Sequence, residues 1–265
     1  MNEESLKQII QEILESRRFK VNFIEETAEE QTPDFEIIGK SDKYTVELKT
    51  KEDDDGKRSR EIDKLLRGEV VGKVVPIGPR NTLAGIIKEG KKQIIEHDPH
   101  GDTFGIIWLH AAGSQPKLHF ERFKNTLFGL ETLFSIQPGS PTFECYYFYE
   151  SAFYTFRDSL DGAILTCITD NQLELQLCIN TLSNRVQAFR ESELVKALCK
   201  VPWDPDELAM SSEGVMIADC SIDRKKPNDV IQYLQKKYNL DHLQTIPMKS
   251  ISAEVWVPKT GHNND

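Results

Sequence analysis

At 265 residues with 38% hydrophobic side chains, the chain is long enough to bury one large core or two modest ones. Its formal net charge of -10 is shared evenly by its two halves, which excludes a basic nucleic-acid tail, so any polyanion would have to meet a local basic patch or a metal ion. The five cysteines never stand as C-x-x-C, the start "MNEESLKQ" lacks a signal pattern, and no run approaches the roughly 18 apolar residues of a membrane span. The expectation is a soluble cytoplasmic protein with buried free thiols and no membrane contact.

Leu6, Ile9, Ile10, Ile13 and Leu14 recur on one helical face behind Ser5, a fitting N-cap, and predict a first helix over 5–18. Residues 19–25 alternate as a strand does, and the charged "ETAEEQT" then reads as a loop. "DFEIIG" and "YTVELKT" predict two antiparallel strands joined by a turn. The charged segment "KEDDDGKRSREIDKLLRGE" predicts a flexible loop running into a short helix, and pattern alone does not determine "VVGKVVPIGPRN". Leu83, Ile86, Ile87, Ile94 and Ile95 predict a helix over 82–97 with a weak centre at Gly90, and "TFGIIWLHA" a buried central strand. Further on, "DGAILTCITD", "LELQLCINT", "GVMIADCSI" and "ISAEVWVP" suit strands, whereas "SELVKALCK" and "PNDVIQYLQKKYN" suit helices.

The stretch "TPDFEIIGKSDKYTVELKTK", residues 32–51, carries the chemistry. Strand alternation puts Asp34 and Glu36 on one side of the first strand, with Phe35 and Ile37 on the other. On the second strand Thr45, Glu47, Lys49 and Lys51 oppose Val46 and Leu48, so Asp34, Glu47 and Lys49 can converge over an apolar underside. Two neighbouring carboxylates repel unless a divalent cation sits between them, and Mg²⁺ takes one or two carboxylates together with water and phosphate oxygens. A lysine on the same face can orient the attacking water and offset charge on the phosphate.

Through Pro33-Asp34 and Glu47-Leu48-Lys49 the stretch resembles the PD-(D/E)XK, restriction-endonuclease-like, nuclease superfamily, over about residues 1–115. The resemblance implies an α/β fold with a mixed central sheet flanked by helices and an αβββαβ core, which agrees with the element order above. It implies Asp34 and Glu47 as ligands of Mg²⁺ (Mn²⁺ substituting), the Leu48 carbonyl completing the shell, and Lys49 as the catalytic lysine. Some subfamilies add a glutamine from the helix after the motif, matched here by Gln93, which shares a helical face with His97. They also add an acid from the first helix, for which Glu12, central in that helix, and Glu15 or Glu4 are candidates. A second Pro-Asp at Pro205-Asp206 and a second Glu-x-Lys at Glu89-Gly90-Lys91 do not sit on strand-patterned residues.

Lys51, Lys57, Arg58 and Arg60 follow the motif and could contact phosphate; a solvated loop is the alternative, and Arg224-Lys225-Lys226 has the same two readings. "GIIKEGKK" lacks the Ser or Thr of a P-loop and is patterned as helix. His97, Asp98, His100 and Asp102 fit a polar loop better than a transition-metal site. The aromatic run from Phe143 to Phe156 suits a core or a subunit interface better than base stacking.

The expectation is therefore a nuclease core over 1–115 with an α/β extension over 116–265 for substrate or partner contacts. It would be a Mg²⁺-dependent endodeoxyribonuclease acting on DNA, fitted to antiviral defence or restriction, with a regulating protein partner and a homodimeric state. The competing expectations are a catalytically silent scaffold of the same fold, and a ribonuclease.

Overall fold

The structure is a computed structural model and describes residues 3–25, 32–53, 55–76, 78, 81–137, 139–246 and 251–257. The expected "ETAEEQT" loop lies almost wholly outside them. In chain order the first elements are α1 (Glu3–Ser16), β1 (Lys20–Phe23), β2 (Phe35–Ile38), β3 (Lys43–Lys51), α2 (Asp55–Leu66), β4 (Val71–Pro76), α3 (Asn81–His97) and β5 (Phe104–Ala111). Then come α4 (Pro116–Phe128), β6 (Glu131–Ser135), β7 (Thr142–Tyr146), α5 (Ala152–Thr155), β8 (Gly162–Thr169), β9 (Gln172–Ile179), α6 (Val186–Arg190) and α7 (Glu193–Leu198). The chain closes with α8 (Pro205–Ser211), β10 (Val215–Ile217), α9 (Pro227–Tyr238), β11 (Leu243–Thr245) and β12 (Ile251–Trp256).

The architecture is mixed α/β around a six-stranded sheet of order β1-β2-β3-β5-β8-β9. Strands β1 to β3 form an antiparallel meander; β3, β5 and β8 run parallel, and β9 returns antiparallel. Leu6, Ile10 and Leu14 of α1, with Phe189, Leu194 and Leu198 of α6 and α7, cover the face that carries Phe35, Ile37, Tyr44, Val46, Leu48 and Trp108. Leu83, Ile87 and Ile94 of α3 and Phe123 and Leu127 of α4 cover the other, with Ile107, Leu109 and Leu165. The strand alternation expected for β2 and β3 is thus the division between two cores.

Helix α1 ends where Arg18 turns left-handed (φ 70°) and the Phe19 amide donates to the Leu14 carbonyl at 3.1 Å, a closure that aims the chain into β1. The segments "DGAILTCITD" and "LELQLCINT" become β8 and β9, so residues after 115 complete the sheet that the motif strands begin. A second, four-stranded sheet, β10-β7-β6-β11, packs with α9 on a core that includes Phe143, Phe148, Val230 and Leu234. The aromatic run is therefore core: Tyr146, Tyr147, Phe148 and Phe153 are fully buried. Strand β4 pairs with β12 as a separate ribbon. All five cysteines are free; Cys145, Cys167 and Cys178 are buried as expected, whereas Cys199 and Cys220 are partly exposed. Among the described residues no helix is long and apolar enough to cross a membrane.

Asp161 ties the entry of β5 to the loop after β9. Its carboxylate accepts from the Gly105 amide (3.0 Å), the Ser183 hydroxyl (2.7 Å) and the Arg185 guanidinium, and only 1% of the residue is exposed. Asp161→Ala leaves these donors without their acceptor. We expect a loss on the order of 2–3 kcal/mol in urea unfolding, less than for a fully buried pair because Arg185 is partly solvated.

Candidate active site

Pro33 has no amide hydrogen for the ladder, and the β2–β3 pairing stops at Phe35 with Val46. Beyond that pair the two strands are joined through the motif side chains. The Asp34 amide donates to Glu47 Oε2 at 3.1 Å, and the Leu48 amide donates to Asp34 Oδ2 at 2.8 Å. Each carboxylate is thus held by the other strand's backbone. Because a strand residue's N–H and C=O leave the same edge, the Leu48 carbonyl faces the Asp34 side as well. The Lys49 ammonium pairs with Glu47 Oε1.

Helix α3 presses on this edge with the face that Gly90, Gln93 and His97 share. A methyl group at Gly90 would stand 3.0 Å from Glu47 Cγ and 2.9 Å from Ile107 Cδ1, so glycine is what lets the helix lie this close. The residue that looked like a weak helix centre is a packing requirement. Gln93 Nε2 donates to the Thr32 carbonyl at 3.1 Å, which steadies the turn into Pro33-Asp34. His97 pairs with Glu36 at 3.1 Å.

The Glu47 side chain is 1% exposed and that of Asp34 13%. Burial, and then the Asp34 charge beside it, push the Glu47 carboxyl up to about 7; the Lys49 ammonium only partly offsets this. Lys7 of α1 reaches Asp34 Oδ1 at 2.7 Å and Glu3 at 2.9 Å. Partial burial alone would lower its pKa, but its bonds to Asp34 and Glu3 outweigh that and hold the ammonium above its ordinary range.

The donor chemistry suits one hard cation: two abutting carboxylates and a carbonyl on the same edge, the complement that Mg²⁺ takes from protein while keeping places for water and phosphate. Among the described residues no group of three or more His, Cys, Asp or Glu side chains is arranged to hold a metal ion. No protein-family model, curated protein or solved structure matches this chain.

The first-helix acids expected here are placed elsewhere. Glu12 is exposed and Glu15 accepts from Gln11, because Leu6, Ile10 and Leu14 turn those positions away from the sheet. Exposed Glu4 has no bond to the pair among those described, and Glu3 is linked to it through Lys7. Lys51 lines a cleft of 480 Å³ beside the site together with Glu3, Thr50, Asp53 and His110. Arg58 and Arg60 are exposed on α2, and the Lys57 side chain lies outside the described residues. Arg224 is no phosphate contact: its guanidinium is spent on the Ala218, Cys220 and Ile222 carbonyls and lies over the Tyr154 ring.

The second Pro-Asp opens α8 behind the N-cap Asp204, and the second Glu-x-Lys lies within α3, as does the P-loop-like string. Asp98 bonds the Thr103 amide and hydroxyl in the polar loop before β5. Sequence reasoning missed Lys7, which the docking of α1 on the sheet brings to Asp34. It also missed Asp53, which accepts from the Ser114 amide and hydroxyl and from His119 at 3.1 Å and fastens the end of β3 to the loop before α4. Burial alone would raise the Asp53 pKa, but these donors hold it at about 2.

The raised Glu47 carboxyl makes the metal-free protein sensitive to pH. Between its ordinary value of 4.5 and about 7 the folded state binds more protons than the unfolded state, so stability falls as pH rises through that window. In EDTA we expect a decline on the order of 3 kcal/mol across it in urea titrations, and its near disappearance in Glu47→Gln.

Proposed function

We propose that the chain is a Mg²⁺-dependent nuclease of the PD-(D/E)XK type that hydrolyses phosphodiester bonds of DNA, with Mn²⁺ able to substitute. The observation that carries this is the mutual anchoring of Asp34 and Glu47 through each other's strand, with the Lys49 ammonium on the same pair. The order α1, β1, β2, β3, then α3 and β5, with α2 and β4 inserted between, supports a restriction-endonuclease-like core.

Asp34, Glu47 and the Leu48 carbonyl would hold the cation, which supplies Lewis-acid stabilisation of the phosphate and its leaving oxygen. Glu47 holds Lys49 by one of the ammonium's three N–H bonds, leaving two to orient the attacking water and meet a phosphate oxygen. Gln93 positions the Asp34 turn through Thr32. The cleft containing Lys51 offers a route for the strand, and exposed Arg58 and Arg60 lie on the element that follows. The preference for DNA rests on the resemblance of the motif, as do a homodimer, a regulating partner and a role in antiviral defence or restriction.

One observation favours a second reading, a catalytically silent scaffold: Lys7 and Lys49 already neutralise the two carboxylates. The experiment that separates the two is incubation of the full chain with circular and linear duplex DNA, single-stranded DNA and RNA, with Mg²⁺ or Mn²⁺ and with EDTA. We expect metal-dependent cleavage of DNA, lowered about 10²- to 10⁴-fold in Lys49→Ala and abolished in Asp34→Ala, both variants keeping the wild-type circular dichroism. Cleavage of RNA alone would make the protein a ribonuclease, and no cleavage of any substrate would favour the scaffold.

A further inference from the structure

A second lysine enters the site from α1, and its role rests on the metal-dependent reading above. Leu6 and Ile10 are buried against the sheet, which fixes the rotation of the helix and turns Lys7 toward the edge where β2 begins. Its Nζ stands 2.7 Å from Asp34 Oδ1 and 2.9 Å from Glu3 Oε1, so one ammonium bridges two carboxylates.

Every oxygen of the Asp34 and Glu47 pair has a partner. The Leu48 amide takes Asp34 Oδ2, the Asp34 amide takes Glu47 Oε2, Lys49 takes Glu47 Oε1 and Lys7 takes Asp34 Oδ1. The two amides are fixed by the strands. Lys49 and Lys7 are about equally exposed, at 29% and 30%, but Lys49 stands on β3 itself beside a carboxylate with 1% exposure, whereas Lys7 reaches in from a separate element, α1. Asp34 is also the more accessible acid, at 13%. A cation approaching from solvent therefore meets Asp34 first and finds an oxygen already held by an ammonium, and two like charges at that separation repel strongly in a partly buried site. A flexible four-carbon stem lets the ammonium withdraw to water.

We propose that Lys7 is the built-in counter-ion of the site: it occupies Asp34 Oδ1 in the metal-free protein, leaves it when a divalent cation binds, and so sets the affinity for that cation. It is a positioning residue. It keeps Asp34 oriented and the carboxylate pair neutral until the cation takes over that charge.

The test is Mn²⁺ binding by isothermal titration calorimetry on the full chain, together with melting temperatures with and without Mn²⁺. In Lys7→Met, which keeps the length of the stem, we expect Mn²⁺ to bind at least about tenfold more tightly than in the wild type. The metal-free melting temperature should fall and the rise on adding Mn²⁺ should grow. Lys7→Arg retains the charge and should stay within about twofold of wild type, and Asp34→Asn should bind no Mn²⁺. Should Lys7→Met fail to fold, Lys7→Gln offers the same comparison with a donor kept to Asp34. Equal or weaker binding in the neutral variants, with wild type binding Mn²⁺, overturns the counter-ion role and leaves the nuclease reading standing. A tenfold gain without cleavage of any nucleic acid keeps the counter-ion role and removes the nuclease reading. Binding to none of the proteins overturns both.

Discussion

The structure around the motif depends on one costly arrangement, the burial of the Glu47 carboxylate beside that of Asp34. Strand alternation demands it: once Val46 and Leu48 are committed to the core under α1, Glu47 must face the other way, and there α3 covers it. Water is excluded, so the charge has to be met by protein groups. The Asp34 amide and Lys49 meet it directly, and Lys7 neutralises the neighbour. Gly90 is small because any side chain there would strike Glu47, and Gln93 holds the turn that carries Asp34.

The site also depends on residues far from it in sequence. Strand β5 lies against β3 on one edge and against β8 on the other, and its Trp108 donates to Thr166 Oγ1 of β8 at 3.0 Å. Helix α4 packs on the face that α3 shares, and α6 and α7 on the face that α1 shares. Residues beyond 115 thus supply two strands of the central sheet and part of both its covering layers. The parallel strands are buried on both faces, as the near-continuous apolar runs of β5 and β8 require.

The elements that were legible in the sequence are those whose patterns are local. The amphipathic face of α1, the alternation of β2 and β3 and the apolar run of β5 each announce themselves within a dozen residues. Helix α4 did not, because Phe120, Phe123, Leu127 and Phe128 are buried together with His119 and Arg122, leaving little polar face to mark a period. Only Pro116 at its start and left-handed Gly129 at its end mark it locally. Strand β4 was illegible because its partner, β12, lies at the other end of the chain. Within the site, the shared face of Asp34, Glu47 and Lys49 could be placed from the strand period, and Gln93 from the resemblance of the motif. Lys7 could not, since what brings it to Asp34 is the docking of α1 on the sheet, a tertiary fact with no local signature.

The placement of Glu47 bears on whether the site is functional or an ion-pair network kept for stability. A buried ion pair is a poor stabiliser, since well-packed apolar side chains of similar volume serve as well or better. Here the balance is worse than for an isolated pair, because burial and Asp34 push the Glu47 carboxyl up to about 7, so ionising it at neutral pH weakens the fold. Selection for stability alone would replace Glu47 with an apolar residue and give α3 a side chain at position 90. Structural networks also perturb pKa values, but a raised carboxyl beside a second carboxylate, at an edge where two strands part, is the pattern expected at a functional site. The cost at Glu47 and the ammonium of Lys7 then both fit the proposed cation site, in which protein ammonium groups hold the two carboxylates until a cation binds.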